Sequence, residues 1–115
     1  MKTLKIAAAM ACIAFLPNLA SAADGATLFK KCKFCHSLEA GKNKMGPSLH
    51  NITGKPAGKV AGFKRYSDRF KAADFIWTDK NLDEFFQNPK KISKMTARLS
   101  KAEDRAAMIE FLKTK

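Results

Sequence analysis

The chain has 115 residues, 46% of them hydrophobic, with 22 Lys and Arg against 10 Asp and Glu, a formal net charge of +12 and a pI near 9.9. That length holds one small domain and excludes a multidomain assembly. So much positive charge calls for an anionic partner. Nucleic acid is the usual one, and the export signal at the N-terminus argues against it.

Met1 to Lys5 carries two lysines, Ile6 to Leu16 is an apolar run, and Ala20-Ser21-Ala22 has the small-x-small pattern of a cleavage site. This order predicts a secretory signal peptide over residues 1–22 and a mature domain over residues 23–115. The apolar run is shorter than the about 20 residues a membrane span needs, so no span is expected after cleavage, and an uncleaved anchor is the weaker alternative. Cys12 raises a lipoprotein alternative, but Ala9-Met10-Ala11 makes a poor lipidation box. Without Lys2 and Lys5, the remaining 93 residues keep 20 Lys and Arg, a net charge near +10, and only Cys32 and Cys35 as thiols. A bacterial periplasm is the expected location.

From Asp24 to about Lys33 the spacing predicts a helix, with Asp24 as its cap and Leu28, Phe29 and Cys32 on one face. Gly25 is a poor helix residue unless something approaches closely there. The helix can continue through Cys32-Lys33-Phe34-Cys35-His36, which reads C-x-x-C-H, the signature of covalent c-type haem attachment. Two thiols three positions apart can reach the two vinyl groups of one porphyrin. His36 lies one turn from Cys32 and can place an imidazole nitrogen on the iron. A redox dithiol is an alternative, but it would want a preceding strand and a βαβ context. A zinc half-site would need two more ligands, and His50 is the only other histidine. In an oxidising compartment a lone close pair could form a disulfide, and thioether bonds to a porphyrin would prevent that. A haem also adds an apolar plate to a domain whose own core is limited by its size.

Leu38 to Gly62 holds five glycines and two prolines and keeps neither a helical nor an alternating period. Such a long loop makes sense if it wraps a cofactor. Tyr66-Ser67-Asp68 reads as a cap for a short helix to about Ala73, with Phe70 and Ala73 inward. Thr78 caps a helix over Asp79–Gln87 with Leu82, Phe85 and Phe86 on its apolar face, and Asn88-Pro89 stops it. After an irregular stretch containing Met95, Ser100-Lys101-Ala102-Glu103 reads as a capping box. The last helix then runs to about Lys113, with Ala102, Ala106, Ile109 and Leu112 on one stripe and Met108 and Phe111 beside it. The pattern is helices and loops without strands, repeats or linkers.

Taken together these pieces resemble a small class I cytochrome c along the whole mature chain. Gly25 and Phe29 stand seven and three positions before Cys32, followed by the haem motif and by Gly46-Pro47-Ser48-Leu49-His50, similar to the family's Gly-Pro-x-Leu segment. Gly62-Phe63, Tyr66-Ser67 and Trp77-Thr78 resemble the propionate side of the pocket. Asn88-Pro89-Lys90 through Lys94-Met95 resembles the approach to a methionine ligand. Glu103-Asp104-Arg105 and Phe111-Leu112-Lys113 look like the C-terminal helix. The resemblance implies an all-α cytochrome c fold, with three main helices, a short helix and long loops around one covalent haem c. The first and last helices would cross closely, with Gly25 letting Phe111 pack there.

In that family pattern, Cys32 and Cys35 are thioether anchors, His36 is the proximal iron ligand and Met95 the distal one. The Pro47 carbonyl, beside Gly46, orients the His36 ring, and Tyr66 and Trp77 hydrogen-bond a buried propionate. Met45 lies too near Gly46-Pro47 to compete with Met95, Met108 reads as core filler, and His50 as a surface residue. The chain departs from the pattern at three places. Lys64 and Arg65 put two residues between Phe63 and Tyr66 where many members have one. Lys55 stands where many have an arginine. Ile92-Ser93-Lys94-Met95 replaces a longer Pro-Gly-Thr-Lys-Met run.

With both axial positions filled by the protein, no substrate reaches the iron, and a non-enzymatic electron carrier is expected. Lys30, Lys31, Lys33, Lys42, Lys44, Lys90, Lys91, Lys94 and Lys101 flank the haem motif and the Met95 loop. They would steer a monomeric carrier to acidic docking faces of membrane or periplasmic oxidoreductases. The short loop before Met95 motivates a second reading, a labile sixth site acting as gas binder, sensor or weak peroxidase. A third is a fixed redox subunit of a larger complex.

Overall fold

The computed structural model describes residues 24–115. The expected signal peptide, Cys12 included, lies outside the described residues. Among the described residues four α-helices follow one another, α1 (Gly25–Phe29), α2 (Asp68–Lys71), α3 (Asp79–Gln87) and α4 (Ala102–Lys113), with a short 3-10 turn over Pro89–Lys91 between α3 and α4. Among the described residues the only β pairing is an isolated bridge between Pro56 and Ile76. Among the described residues no helix is long and apolar enough to cross a membrane.

The α1 helix starts where Asp24 accepts a hydrogen bond from the Thr27 backbone N–H at 2.7 Å. That bond also holds the Asp24 carboxyl below the usual carboxylate range. The helix is shorter than its periodicity predicts. From Lys30 on, the chain tightens into turns such as Cys32 N–H to Phe29 O at 2.8 Å. Two α-type links survive further on, from Lys33 N–H to Phe29 O at 3.1 Å and from His36 N–H to Cys32 O at 2.9 Å, so Cys32 and His36 stay one turn apart as expected.

The crossing of α1 over α4 needs Gly25. A Cβ there would lie 2.2 Å from Phe111 Cβ and 2.6 Å from the Ala107 carbonyl oxygen, so no larger residue fits. Below the crossing, the rings of Phe29 and Phe111 sit 5.6 Å apart. Leu28, Met108, Ile109 and Leu112 are buried beside them. Each such side chain contributes about 1.5–3 kcal/mol when taken fully out of water. Met108 is core filler at 1% exposure, as its position among apolar neighbours predicts.

The middle helices start at their expected caps. Ser67 Oγ accepts from Phe70 N–H at 3.1 Å, and Thr78 Oγ1 from Asn81 N–H at 3.2 Å. Phe70, Trp77, Leu82 and Phe86 join the core, and Phe85 stands edge-on to Trp77 at 5.1 Å. The α2 helix ends two residues earlier than expected.

The entry to α4 differs from the capping box predicted for Ser100 and Glu103. The cap position is Lys101, and no side chain bonds to the helix start. Arg105 organises this corner instead. Its Nη1 donates to the carbonyls of Leu99 and Ser100 at 3.1 and 3.0 Å, and its Nε donates to Asp83 Oδ1 at 2.7 Å. The buried stripe is also rotated. Ala102 and Ala106 are exposed, and the face turned inward is Met108, Ile109 and Leu112. The aromatic bulk of α1 and the salt bridge to α3 set that rotation, and neither is visible in the periodicity of α4 alone.

Candidate functional site

The thiols of Cys32 and Cys35 are both free and half-buried. Burial, with the neighbouring Cys35 adding to it, pushes the Cys32 thiol up. A redox dithiol needs the opposite, a stabilised thiolate. Among the described residues no group of three His, Cys, Asp or Glu could hold a metal ion, which leaves a zinc site without ligands. The pair remains suited to covalent attachment.

The geometry around His36 is specific. Its Nδ1 lies 2.7 Å from the Pro47 carbonyl oxygen. A carbonyl only accepts, so Nδ1 carries the proton and Nε2 keeps its lone pair. A Cβ on Gly46 would stand 2.3 Å from His36 Cε1 and 2.8 Å from Nε2, so the glycine backbone packs against the ring face where nothing larger fits. Gly46 N–H also donates to the Cys35 carbonyl at 2.7 Å, clamping the loop to the motif. Burial lowers the His36 pKa, with the Pro47 bond opposing it, which favours the neutral imidazole that a metal requires. An oriented neutral imidazole beside two free thiols fits a covalently held, iron-centred porphyrin.

The loop is held from behind by Asn43 and Ser48. Asn43 Oδ1 accepts from Ser48 N–H at 2.9 Å, and its Nδ2 donates to the Ala61 carbonyl at 3.0 Å. Ser48 Oγ donates to the Glu39 carbonyl at 2.6 Å. Neither residue stood out in the sequence, because each acts through a bond to backbone that carries no motif.

Met95 lies half-buried on the shortened loop. Its backbone N–H donates to Ser93 Oγ at 3.1 Å, and Ser93 Oγ donates to the Pro89 carbonyl at 2.7 Å. From α2, Ser67 Oγ donates to the Ile92 carbonyl and Arg69 Nη1 to the Lys91 carbonyl at 3.1 Å. Downstream, Leu99 N–H donates to the Phe86 carbonyl at 2.9 Å. Ser67 was legible as a helix cap and as part of the propionate-side resemblance, not as a brace of this loop, and Arg69 not at all.

Tyr66 accepts from Val60 N–H through its phenol oxygen at 3.1 Å, which leaves its own proton to give, and burial pushes that phenol up. Trp77 is buried, with Phe75 and Phe85 rings each 5.1 Å away. Among the described residues no fully buried side-chain polar atom is left without a hydrogen-bond partner. Lys55 Nζ donates to the His50 carbonyl at 3.2 Å, and the His50 side chain is exposed.

Residues 22–115 match the family model described as Cytochrome c. Cytochrome c2 iso-2 of Magnetospirillum molischianum is 42% identical over 96 residues, spanning 80% of this chain and 98% of that protein. Cytochrome c2 of Rhodomicrobium vannielii is 36% identical over 122 aligned positions, spanning 99% of this chain and 97% of the other. Among solved structures, cytochrome cH from Methylobacterium extorquens superposes with a TM-score of 0.70 at 32% identity, over 81% of this chain and all of that one.

Proposed function

The chain belongs to the cytochrome c family, and from that premise we propose an exported, soluble carrier of single electrons whose haem iron is held between His36 and Met95. It has the cytochrome c fold, takes one covalent haem c, and carries electrons without being an enzyme. The ligand pair, the periplasmic location and the acidic partners are our reading.

The observation that carries the reading is the His36 ring held by Pro47 and Gly46 directly after two free thiols. Cys32 and Cys35 would form the thioethers. His36 would offer Nε2 to the iron, its ring fixed by the Nδ1–H bond to Pro47, an arrangement that also raises ligand basicity. Met95 would offer a soft, neutral thioether from a loop bonded to α2. Tyr66 and the Trp77 indole would give their protons to propionate oxygens. The haem supplies a one-electron Fe(III)/Fe(II) couple. A thioether ligand and an apolar surround both favour the less charged reduced form and raise the potential.

The four bonds that tether the loop around Met95 favour a firmly held sixth ligand over a labile one. The visible spectrum tests this. The oxidised protein should be low-spin with the weak far-red band of sulfur on iron, and the reduced protein should not bind carbon monoxide. Replacing Met95 by alanine should abolish that band, open the site to carbon monoxide and lower the potential by on the order of 0.1 V. A high-spin wild type would replace the shuttle with the gas-binding reading. Survival of the band in Met95→Ala would mean another residue is the ligand.

A further inference from the structure

Of the methionines among the described residues, Met108 is 1% exposed inside the core, Met95 is half-buried on its tethered loop, and Met45 is 68% exposed. Met45 belongs neither to the core nor to the haem site argued above. It sits at the tip of a braced turn. Lys44 N–H donates to the Gly46 carbonyl at 3.0 Å, so the chain doubles back around Met45, and Gly46 N–H donates to the Cys35 carbonyl at 2.7 Å. On the other side Lys44 Nζ donates to the Lys33 carbonyl. The backbone is held by bonds that do not involve the Met45 side chain, and that side chain stands in solvent.

A thioether sulfur carries its lone pair at every pH, and an oxidant reaches that lone pair only where the sulfur meets solvent. Oxidation turns a flexible apolar side chain into a polar sulfoxide, which disrupts a core or an apolar contact. Burial keeps the oxidant from Met108. Met95 is half-buried, and as an iron ligand it would give its lone pair to the metal. Met45 has neither protection. Its sulfoxide would stand in water, where a polar group carries no burial penalty.

We infer that Met45 is a modification site, the first methionine of this chain to take oxygen from a hypohalous acid, and that it acts as a sacrificial thioether. The Met45 sulfur attacks the chlorine of hypochlorous acid, the chlorine–oxygen bond breaks and hydroxide leaves. Water then adds to the chlorosulfonium sulfur, chloride departs and two protons are released. Sulfur is oxidised by two electrons, chlorine is reduced to chloride, and the product is methionine sulfoxide. The iron takes no part, so this chemistry is separate from electron carriage. A sulfoxide reductase returns the thioether at the expense of two thiols, which become a disulfide while the oxygen leaves as water. The order of Met45 before Met108 rests on exposure alone, and the protection of Met95 rests on the ligand reading above.

Ferric holoprotein given an equimolar dose of hypochlorous acid tests it. Trypsin places these methionines in separate peptides, Met45–Lys59, Met95–Arg98 and Ala106–Lys113, whose masses are read independently. The Met45 peptide should gain one oxygen about tenfold more often than either of the others, the selectivity that access to the sulfur sets. The Soret and far-red bands should stay unchanged. Methionine sulfoxide reductase with dithiothreitol should then return the peptide to its original mass. Met45→Leu alters only an exposed side chain, so its untreated spectrum should match wild type. The same dose should now oxidise its Met95 peptide and weaken the far-red band. Equal oxygen uptake by the Met45 and Met108 peptides overturns the site. A Met45→Leu protein whose Met95 peptide is oxidised no more than in wild type overturns the sacrificial role. An untreated wild type without the far-red band would count against the iron ligand and not against the site, which the Met45 and Met108 masses still decide.

Discussion

The His36 loop closes on itself across 11 residues, through Pro47, whereas the Met95 loop is tied to a helix 22 and 25 residues upstream through Arg69 and Ser67. In the first loop the ring, its acceptor and the glycine that makes room for it are neighbours in the chain. Little else is needed to orient the imidazole. In the second, the position of Met95 depends on α2 being folded and docked. The short loop has an internal brace at Ser93, and the bonds from Ser67 and Arg69 add to it. One half of the site is preorganised locally, and the other is as firm as the fold that carries it.

The sharpest way to break that contrast is at Gly46. Gly46→Ala puts a methyl 2.3 Å from His36 Cε1. The ring or the loop must move, and overpacking of this kind costs about 1–3 kcal/mol. The expected outcome is a lower melting temperature of the holoprotein together with a perturbed Soret band, because the displaced group is the proposed ligand. A normal spectrum with only reduced stability would show that the clamp does not orient the ring.

Ser67→Ala should act on the other half and by less. It removes one hydrogen bond to the Ile92 carbonyl, worth about 1 kcal/mol, and also the α2 cap, worth about 1 kcal/mol. Exogenous imidazole should then displace Met95 more readily, by about fivefold, the factor 1 kcal/mol gives, while the His36 side stays unchanged. Ser67→Thr keeps the oxygen and should restore the wild-type rate. Equal imidazole binding in all three would mean the loop is braced without α2.

A smaller effect lies at the downstream end of the same loop. Arg105 holds the Leu99 and Ser100 carbonyls while paired with Asp83, and the Arg105 bond keeps the Asp83 carboxyl below its ordinary value. A carboxyl depressed in the folded state contributes stability above its unfolded pKa, and that contribution is lost as pH falls through the folded value. The difference in melting temperature between wild type and Arg105→Met should therefore narrow as the pH drops below about 4. The pair is partly solvent-exposed, so the effect should also shrink with salt. A difference that stays constant with pH would show that Arg105 acts only through the two carbonyls.

What the amino-acid sequence by itself determined is local. The C-x-x-C-H motif, the Gly46-Pro47 segment and the caps at Asp24, Ser67 and Thr78 each act within a few residues, where dihedral preference and hydrogen-bond reach decide the outcome. The tertiary structure alone decided where α1 loosens into turns and which face of α4 turns inward. It also decided that Arg105 rather than Ser100 organises the start of α4, and that Ser67 and Arg69 brace the Met95 loop. The physical reason is the same in each case. A side chain bonding to a carbonyl twenty residues away, or a helix crossing at van der Waals distance, depends on the shape of a partner surface. That surface exists only once the whole chain has packed.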